Sequence, residues 1–405
     1  MVRRTLLSAV TLAVVMAAHL LAPQPHTPPA RTPPTMVRRV IDTVPAASRP
    51  RALPWYTPPA EQLLFNDPVS RPHATADELV RLCEGTPRGA TIEVSTYFLR
   101  SVRIEDALSN AFTRGVRVRV ILSSGQRQHD GPSDRLARLL DRRGDGSWLH
   151  WSSMSTRGTS GIDHQKIYRF SRVGRRRHIT VVGSMNSSDI SDQVAYSEML
   201  MVSRPGVYDA FAAVFRQSAR DRPVTPNPLL TLAGHGWRGY VFPSTAQEPG
   251  ADPVMRRLDQ IPARPGSVLN IAMYSMWNQR GLWIADKLAS MASRGVRISL
   301  IAGPPFGSGV LGILEAAGID VRGGCFTDGT YVHSKDMAAT YVRGGTVHRW
   351  TWIGSDNWTS RSEDNDEAVL GVQSATIQRQ FLADFDSIWG RQGSVMPSAC
   401  HPLRG

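Results

Sequence analysis

The chain is 405 residues long, 41% hydrophobic and 20% charged, ordinary values for a folded soluble protein with material for two domains or one pseudo-symmetric body. Beyond its first residues no stretch is long and apolar enough to span a bilayer as a helix. Residues 1–60 supply +6 of the net charge of +13, so the remainder carries a mild basic bias. That bias suits anionic substrates such as phosphodiesters without separating nucleic acid from lipid headgroups.

In chain order, Arg3-Arg4 precede an apolar segment from Leu6 to Ala22, the pattern of an export signal, with cleavage expected after Ala22 and a secreted, extracellular product. The twin arginines leave the export route open. Eleven prolines between residues 23 and 60 read as a semi-stiff linker. Two similar halves follow, 61–245 and 246–405.

In the first half, Thr75-Ala-Asp-Glu78 reads as a capping box that starts a helix near Ala76. Thr91 to Phe98 reads as a strand, Ile104 to Phe112 as a helix ending at Arg114-Gly115, and Val116 to Leu122 as a second strand. The helical crossover makes the two strands parallel. In the second half Asp252-Pro253 opens a helix. Val268–Tyr274, Ile284–Ala292 and Arg294–Ile301 then repeat strand, helix and strand. Gly-rich insertions at 125–163 and 303–330 read as loops that could cover a site, and hairpins follow near 167–182 and 337–353. The tip of the first hairpin carries Arg175-Arg176-Arg177, most simply a solvated turn. Of three cysteines, Cys325 and Cys400 are a plausible bridge, with Cys83 left over.

The informative feature is a series that occurs twice. His164-Gln-Lys166, Gly183-Ser184-Met-Asn186 and Glu198 return as His333-Ser-Lys335, Gly354-Ser355-Asp-Asn357 and Glu367. Only three of the 47 cationic residues are lysine, and two of those are Lys166 and Lys335. A composition that otherwise writes arginine thus keeps a compact ammonium, rather than a planar fork, two residues after each histidine. His150, His178 and His348 lack such company and read as structural.

These residue types suit a phosphodiester. One neutral imidazole attacks phosphorus and forms a phosphohistidine, while a protonated one delivers a proton to the leaving oxygen. Lys166, Lys335, Asn186, Asn357 and the serines Ser184 and Ser355 would hold the non-bridging oxygens. Glu198 and Glu367 would each accept from the far ring nitrogen of a histidine. The lysines take the place of a Lewis acid, so neither metal nor cofactor is expected. Trp277 and Trp358 are candidates for an apolar wall around substrate, with core packing as the alternative.

The paired His-x-Lys and Gly-Ser-x-Asn motifs with a following Glu resemble the phospholipase D superfamily over most of residues 75–390. The resemblance implies an α/β fold, a pseudo-two-fold duplicated α/β/α sandwich with one active site at the seam, and metal-independent phosphodiester chemistry. It also implies His164 as nucleophile and His333 as acid/base. The chain departs from the family at the Asp five residues after Lys, where Ser171 and Thr340 stand. The expected function is an exported phosphodiesterase, a hydrolase acting on or transferring phospholipid. The alternatives are a secreted metal-independent nuclease and an inactive module binding phospholipid or nucleic acid. The protein is expected to be monomeric and to touch a membrane surface.

Overall fold

Alternation along the strands decides how the layers form. In the strand Ala195–Ser203, Met199 and Met201 point to one side, and Leu200 and Val202 to the other. Side chains of a strand line two faces in turn, so this strand seeds two cores. The computed structural model describes residues 56–244, 247–400 and 402, all within one compact unit. The export segment and the linker up to residue 55 lie outside the described residues. Among the described residues no helix is long and apolar enough to cross a membrane.

Two sheets carry the fold, one of ten strands and one of eight. Their inner faces share a core in which Ile167, Val182, Leu200 and Val202 meet Ala272, Ala338, Ile353 and Leu370. The outer face of each sheet has its own core with helices, around Leu79, Leu108, Val120 and Met199 in one half and Ile271, Ile284, Leu300 and Met337 in the other. This is the duplicated sandwich expected.

The first crossover forms for local reasons. Ser101 caps the helix Val102–Arg114 by accepting from Ile104 N, and Gly115 ends it at φ 99°, a backbone region that suits glycine. Thr91–Thr96 and Arg117–Ser123 then pair in parallel, as Val268–Met273 and Arg297–Ala302 do in the second half. Asp252 caps Pro253–Asp259 through Val254 N.

Two expectations need correction. The helix near Ala76 spans Ala74–Gly85 with His73, not Thr75, at its N-cap; Glu78 is not a cap partner but pairs with Arg81 at 2.6 Å. The Gly-rich insertions are only partly loops. Pro132–Leu140 and Ser308–Ala316 are helices; Trp148 and Trp151 lie in the short strand expected of them, Trp148–Ser152, and it and Asp320–Gly323 add parallel strands at the sheet edges. The arginine hairpin tip is a turn with Arg175 and Arg177 exposed, as expected, and Arg176 Nε donates to Pro58 O.

The halves also exchange strands. Leu230–Gly234 and Trp237–Val241 extend the second sheet, while Cys325–Phe326, Tyr331–Val332 and Ser394–Val395 join the first. A Cys325–Cys400 disulfide ties the C-terminal tail, and Cys83 is free and buried.

Candidate active site

Each motif histidine follows a short segment that pairs with the opposite half. Asp163 bridges Asp366, and His164 N donates to Asp366 O at 3.0 Å. Tyr331-Val332 pairs in parallel with Ala195-Tyr196, and His333 N donates to Tyr196 O at 2.8 Å. The next residues but one, Lys166 and Lys335, open hairpin strands opposite Thr96 and Met273. Backbone pairing therefore carries both His-x-Lys units to the seam between the halves.

There the side chains repeat one another. Lys166 Nζ donates to His164 O, and Lys335 Nζ to His333 O, each at 2.5 Å. Tyr97 packs against the His164 ring at 5.0 Å and Tyr274 against His333 at 4.6 Å. Asn186 and Asn357 each begin a tight turn closed by the N–H two residues on. Each also keeps a buried amide oxygen without a protein partner. The approach is narrow, since the His164 side chain is 13% exposed and His333 7%.

Burial is the main reason both imidazoles are held well below their usual pKa. The nearby charges of Lys166 and Lys335 push the same way on each. Burial likewise pulls Lys166 down to about 8, opposed by Glu367 and Asp163. Lys335 is pulled well down by burial and Lys166, opposed by Glu367, Asp336 and Glu198.

The two glutamates are not equivalent. His164 Nδ1 donates to the Glu367 carboxylate at 2.8 and 3.0 Å, across the two halves. Glu198 makes no such bond to His333; that Nδ1 donates to Ser184 O at 3.1 Å, and Lys335 Nζ stands 3.0 Å from both ring nitrogens. The cause is register. Gly183 faces Met199, whereas Gly354 faces Val369. Matching the two Gly-Ser steps thus aligns Glu198 with Ala368, and Ser197 with Glu367. Shifting a strand by one residue moves its side chain to the other face. Glu198 is consequently buried on the face of its strand that Leu200 and Val202 turn to the shared core, and its Oε2 has no partner in the protein.

Other expected residues have partners within the protein. Ser184 and Ser355 are buried, and their hydroxyls accept from Glu198 N and Ala368 N, so they fasten strands instead of facing a ligand. Trp358 is 1% exposed within the outer core of the second half, a packing residue and not a wall. Trp277 is 40% exposed and donates to Ser275 Oγ.

Sequence reasoning missed Arg280. Fully buried, it bridges Asp252 and Asp356 and donates to Asn357 O at 2.9 Å, holding the second Gly-Ser-x-Asn turn. Met185, which stands in the first half where Asp356 stands in the second, is apolar core. Asp252 already read as a helix cap; its ionic partner carried no sequence signal. Among the described residues, His73, Asp189 and Asp192 are a group whose ligand atoms, all within 4.8 Å of one another, could hold a cation.

The profile of a family described as "Cardiolipin synthase, PLD-like domain" matches residues 88–219 and 263–389, one copy on each half. The chain belongs to the phospholipase D superfamily. Members of this superfamily act on phosphodiesters. Among solved structures, phosphatidylserine synthase of Haemophilus influenzae Rd KW20 is similar at 14% identity and TM-score 0.56, over 82% of this chain and 87% of that one. Polyphosphate kinase of Porphyromonas gingivalis is similar at 16% identity and TM-score 0.55, over 84% of this chain and 54% of that one. The chain thus spans about half the length of that kinase. No curated protein matches the chain by sequence. At the two positions where this superfamily member lacks the usual Asp, Ser171 Oγ accepts from Thr91 N and Thr340 Oγ1 donates to Gln378 Oε1. Both side chains brace the sheet.

Proposed function

We propose that the protein is an exported phospholipase D-type phosphodiesterase that cleaves or transfers a phospholipid headgroup through a phosphohistidine on His164. The observation that carries this reading is the bond from His164 Nδ1 to Glu367 of the other half. With the proton fixed on Nδ1, the lone pair of Nε2 is free to attack phosphorus. The two lysines and two asparagines would hold the non-bridging oxygens as negative charge accumulates. Burial and the lysines push the His333 pKa down and so favour its neutral ring. An arriving phosphodiester anion offsets that positive field, so His333 takes up the proton it then gives to the leaving alkoxide. In the second step His333 removes a proton from water or an alcohol, which displaces His164 from phosphorus.

A lipid substrate is supported by the family description. Export rests on Arg3-Arg4 and the segment Leu6–Ala22.

The test uses the secreted protein with chelator present, assayed in parallel on phosphatidylcholine vesicles and on plasmid DNA. Headgroup release without nicking is the expected result. Nicking without headgroup release would replace lipid by nucleic acid. Silence on both and on other phosphodiesters would reduce the protein to a binding module.

A further inference from the structure

The pseudo-two-fold sets a buried cation in one half against a group of ligands in the other. Thr96 faces Lys166 as Met273 faces Lys335, so Ser101 corresponds to Asn278 and Arg103 to Arg280. Counting from Asn186 and Asn357 matches Asp189 with Ser360, and Asp192 with Glu363, both buried carboxyls. Contacts agree with this alignment. The Leu99–Ser187 bridge is repeated by Met276–Trp358. Ser101 Oγ donates to Asp189 Oδ1 at 2.5 Å where Ser360 Oγ donates to Asn278 Oδ1 at 3.0 Å.

In the second half the buried Arg280 guanidinium binds Asp356 and Asp252, the N-cap of the helix Pro253–Asp259, and donates to Asn357 O. In the first half Arg103 turns outward, its side chain 44% exposed and paired with Asp77. His73, the N-cap of the corresponding helix Ala74–Gly85, instead meets Asp189 and Asp192. Asp192 is 1% exposed, yet its Oδ1 has no partner in the protein. Its Oδ2 lies 3.3 Å from His73 Nδ1, and one ligand atom from each of the three residues lies within 4.8 Å of the others.

An imidazole with two carboxylates is a donor set for Zn²⁺ and similar metals, whereas Ca²⁺ and Mg²⁺ prefer oxygen alone. Ligands at about 2.0–2.1 Å around a tetrahedral Zn²⁺ stand roughly 3.3–3.4 Å apart, a separation that His73 and Asp192 already meet. Asp189, only partly buried, has room to close the remainder.

We propose that His73, Asp189 and Asp192 bind one divalent cation of the Zn²⁺ class, with water completing its coordination. The cation does in the first half what the Arg280 guanidinium does in the second. It ties the start of the helix Ala74–Gly85 to the turn at Asn186, because Asp192 N donates to Ser188 O and Ser188 N to Asn186 O. It takes no part in the phosphoryl steps.

The test strips the secreted protein with chelator, dialyses it, and titrates it with ZnCl₂ by calorimetry and with Co²⁺ by visible absorption. One Zn²⁺ per chain is expected, raising the unfolding midpoint by about 4 °C at a hundredfold excess over Kd. Co²⁺ should give visible d–d bands. His73→Ala and Asp192→Asn should each weaken binding at least about tenfold and remove the bands. No uptake of either metal by the wild type would overturn the proposal, as would binding undiminished in both variants or a preference for Ca²⁺ over Zn²⁺. If Asp192→Asn fails to fold, His73→Ala, at a partly exposed position, decides the matter.

Discussion

Replacing Glu367 by Gln removes one charge and almost no volume. Both oxygens of the carboxylate lie within 3.0 Å of His164 Nδ1, and the group is fully buried. A hydrogen bond to a charged group contributes about 1.5–3 kcal/mol, and each ~1.4 kcal/mol is a factor of ten in rate. The substitution should therefore lower kcat by about 10- to 150-fold with a smaller change in KM. Burial pushes the Glu367 carboxyl up to about 7, with Lys166 and its hydrogen bonds opposing. Below that pH it takes up a proton and accepts from His164 only as a neutral carboxyl, without the negative charge that steadies the ring as it attacks, so the wild-type rate should fall as pH drops through about 7. The Gln variant should lack that limb. Stability should move the other way. A carboxyl raised from 4.5 to about 7 on folding favours the fold below its unfolded pKa and loses that contribution as pH rises to about 7. By linkage the ionised group costs the fold about 3 kcal/mol above pH 7. Glu367→Gln should then be less active yet more stable at pH 8, read by steady-state kinetics and urea unfolding. A variant with kcat within twofold of wild type, or with the acid limb unchanged, would refute this account of Glu367.

Two further predictions concern the frame around the site. Arg280→Ala leaves Asp252 and Asp356 buried without their cation, and breaking a buried pair on one side costs about 3–5 kcal/mol; a loss below 1 kcal/mol in denaturant titration would contradict the positioning role given to it. The disulfide closes a separation of 75 residues, worth about 4 kcal/mol by loop-closure entropy. Cys400→Ser should accordingly lower stability by about 2–4 kcal/mol without changing KM, and unchanged unfolding midpoints would sink the point.

Much of the fold was legible because it is written in repeated local signals. Parallel strands around Val94 and Val118, the glycine stop at Gly115 and the cap at Asp252 each follow from a few adjacent residues. The helices Pro132–Leu140 and Ser308–Ala316 were hidden, since glycine on either side made their segments read as loops. The doubled motif was legible too, and each of its histidines follows a segment that pairs with the opposite half. What escaped was the one-residue offset between Glu198 and Glu367. Their spacings from Asn186 and Asn357 differ by two residues, yet only strand pairing with Gly183 and Gly354 reveals which face each carboxyl meets. Arg280 escaped for a related reason, because its partners Asp252 and Asp356 are distant in sequence.

Covalent chemistry at His164 is the claim on which the functional account turns. Rapid acid quenching would hydrolyse a phosphohistidine, so the reaction of a His333→Asn variant with a phosphodiester bearing a good leaving group should be stopped in base and mapped by mass spectrometry. The account predicts a phosphoryl adduct on His164 that accumulates in this variant and is absent from His164→Asn. An adduct on another residue, or turnover by His164→Asn at near the wild-type rate, would contradict it.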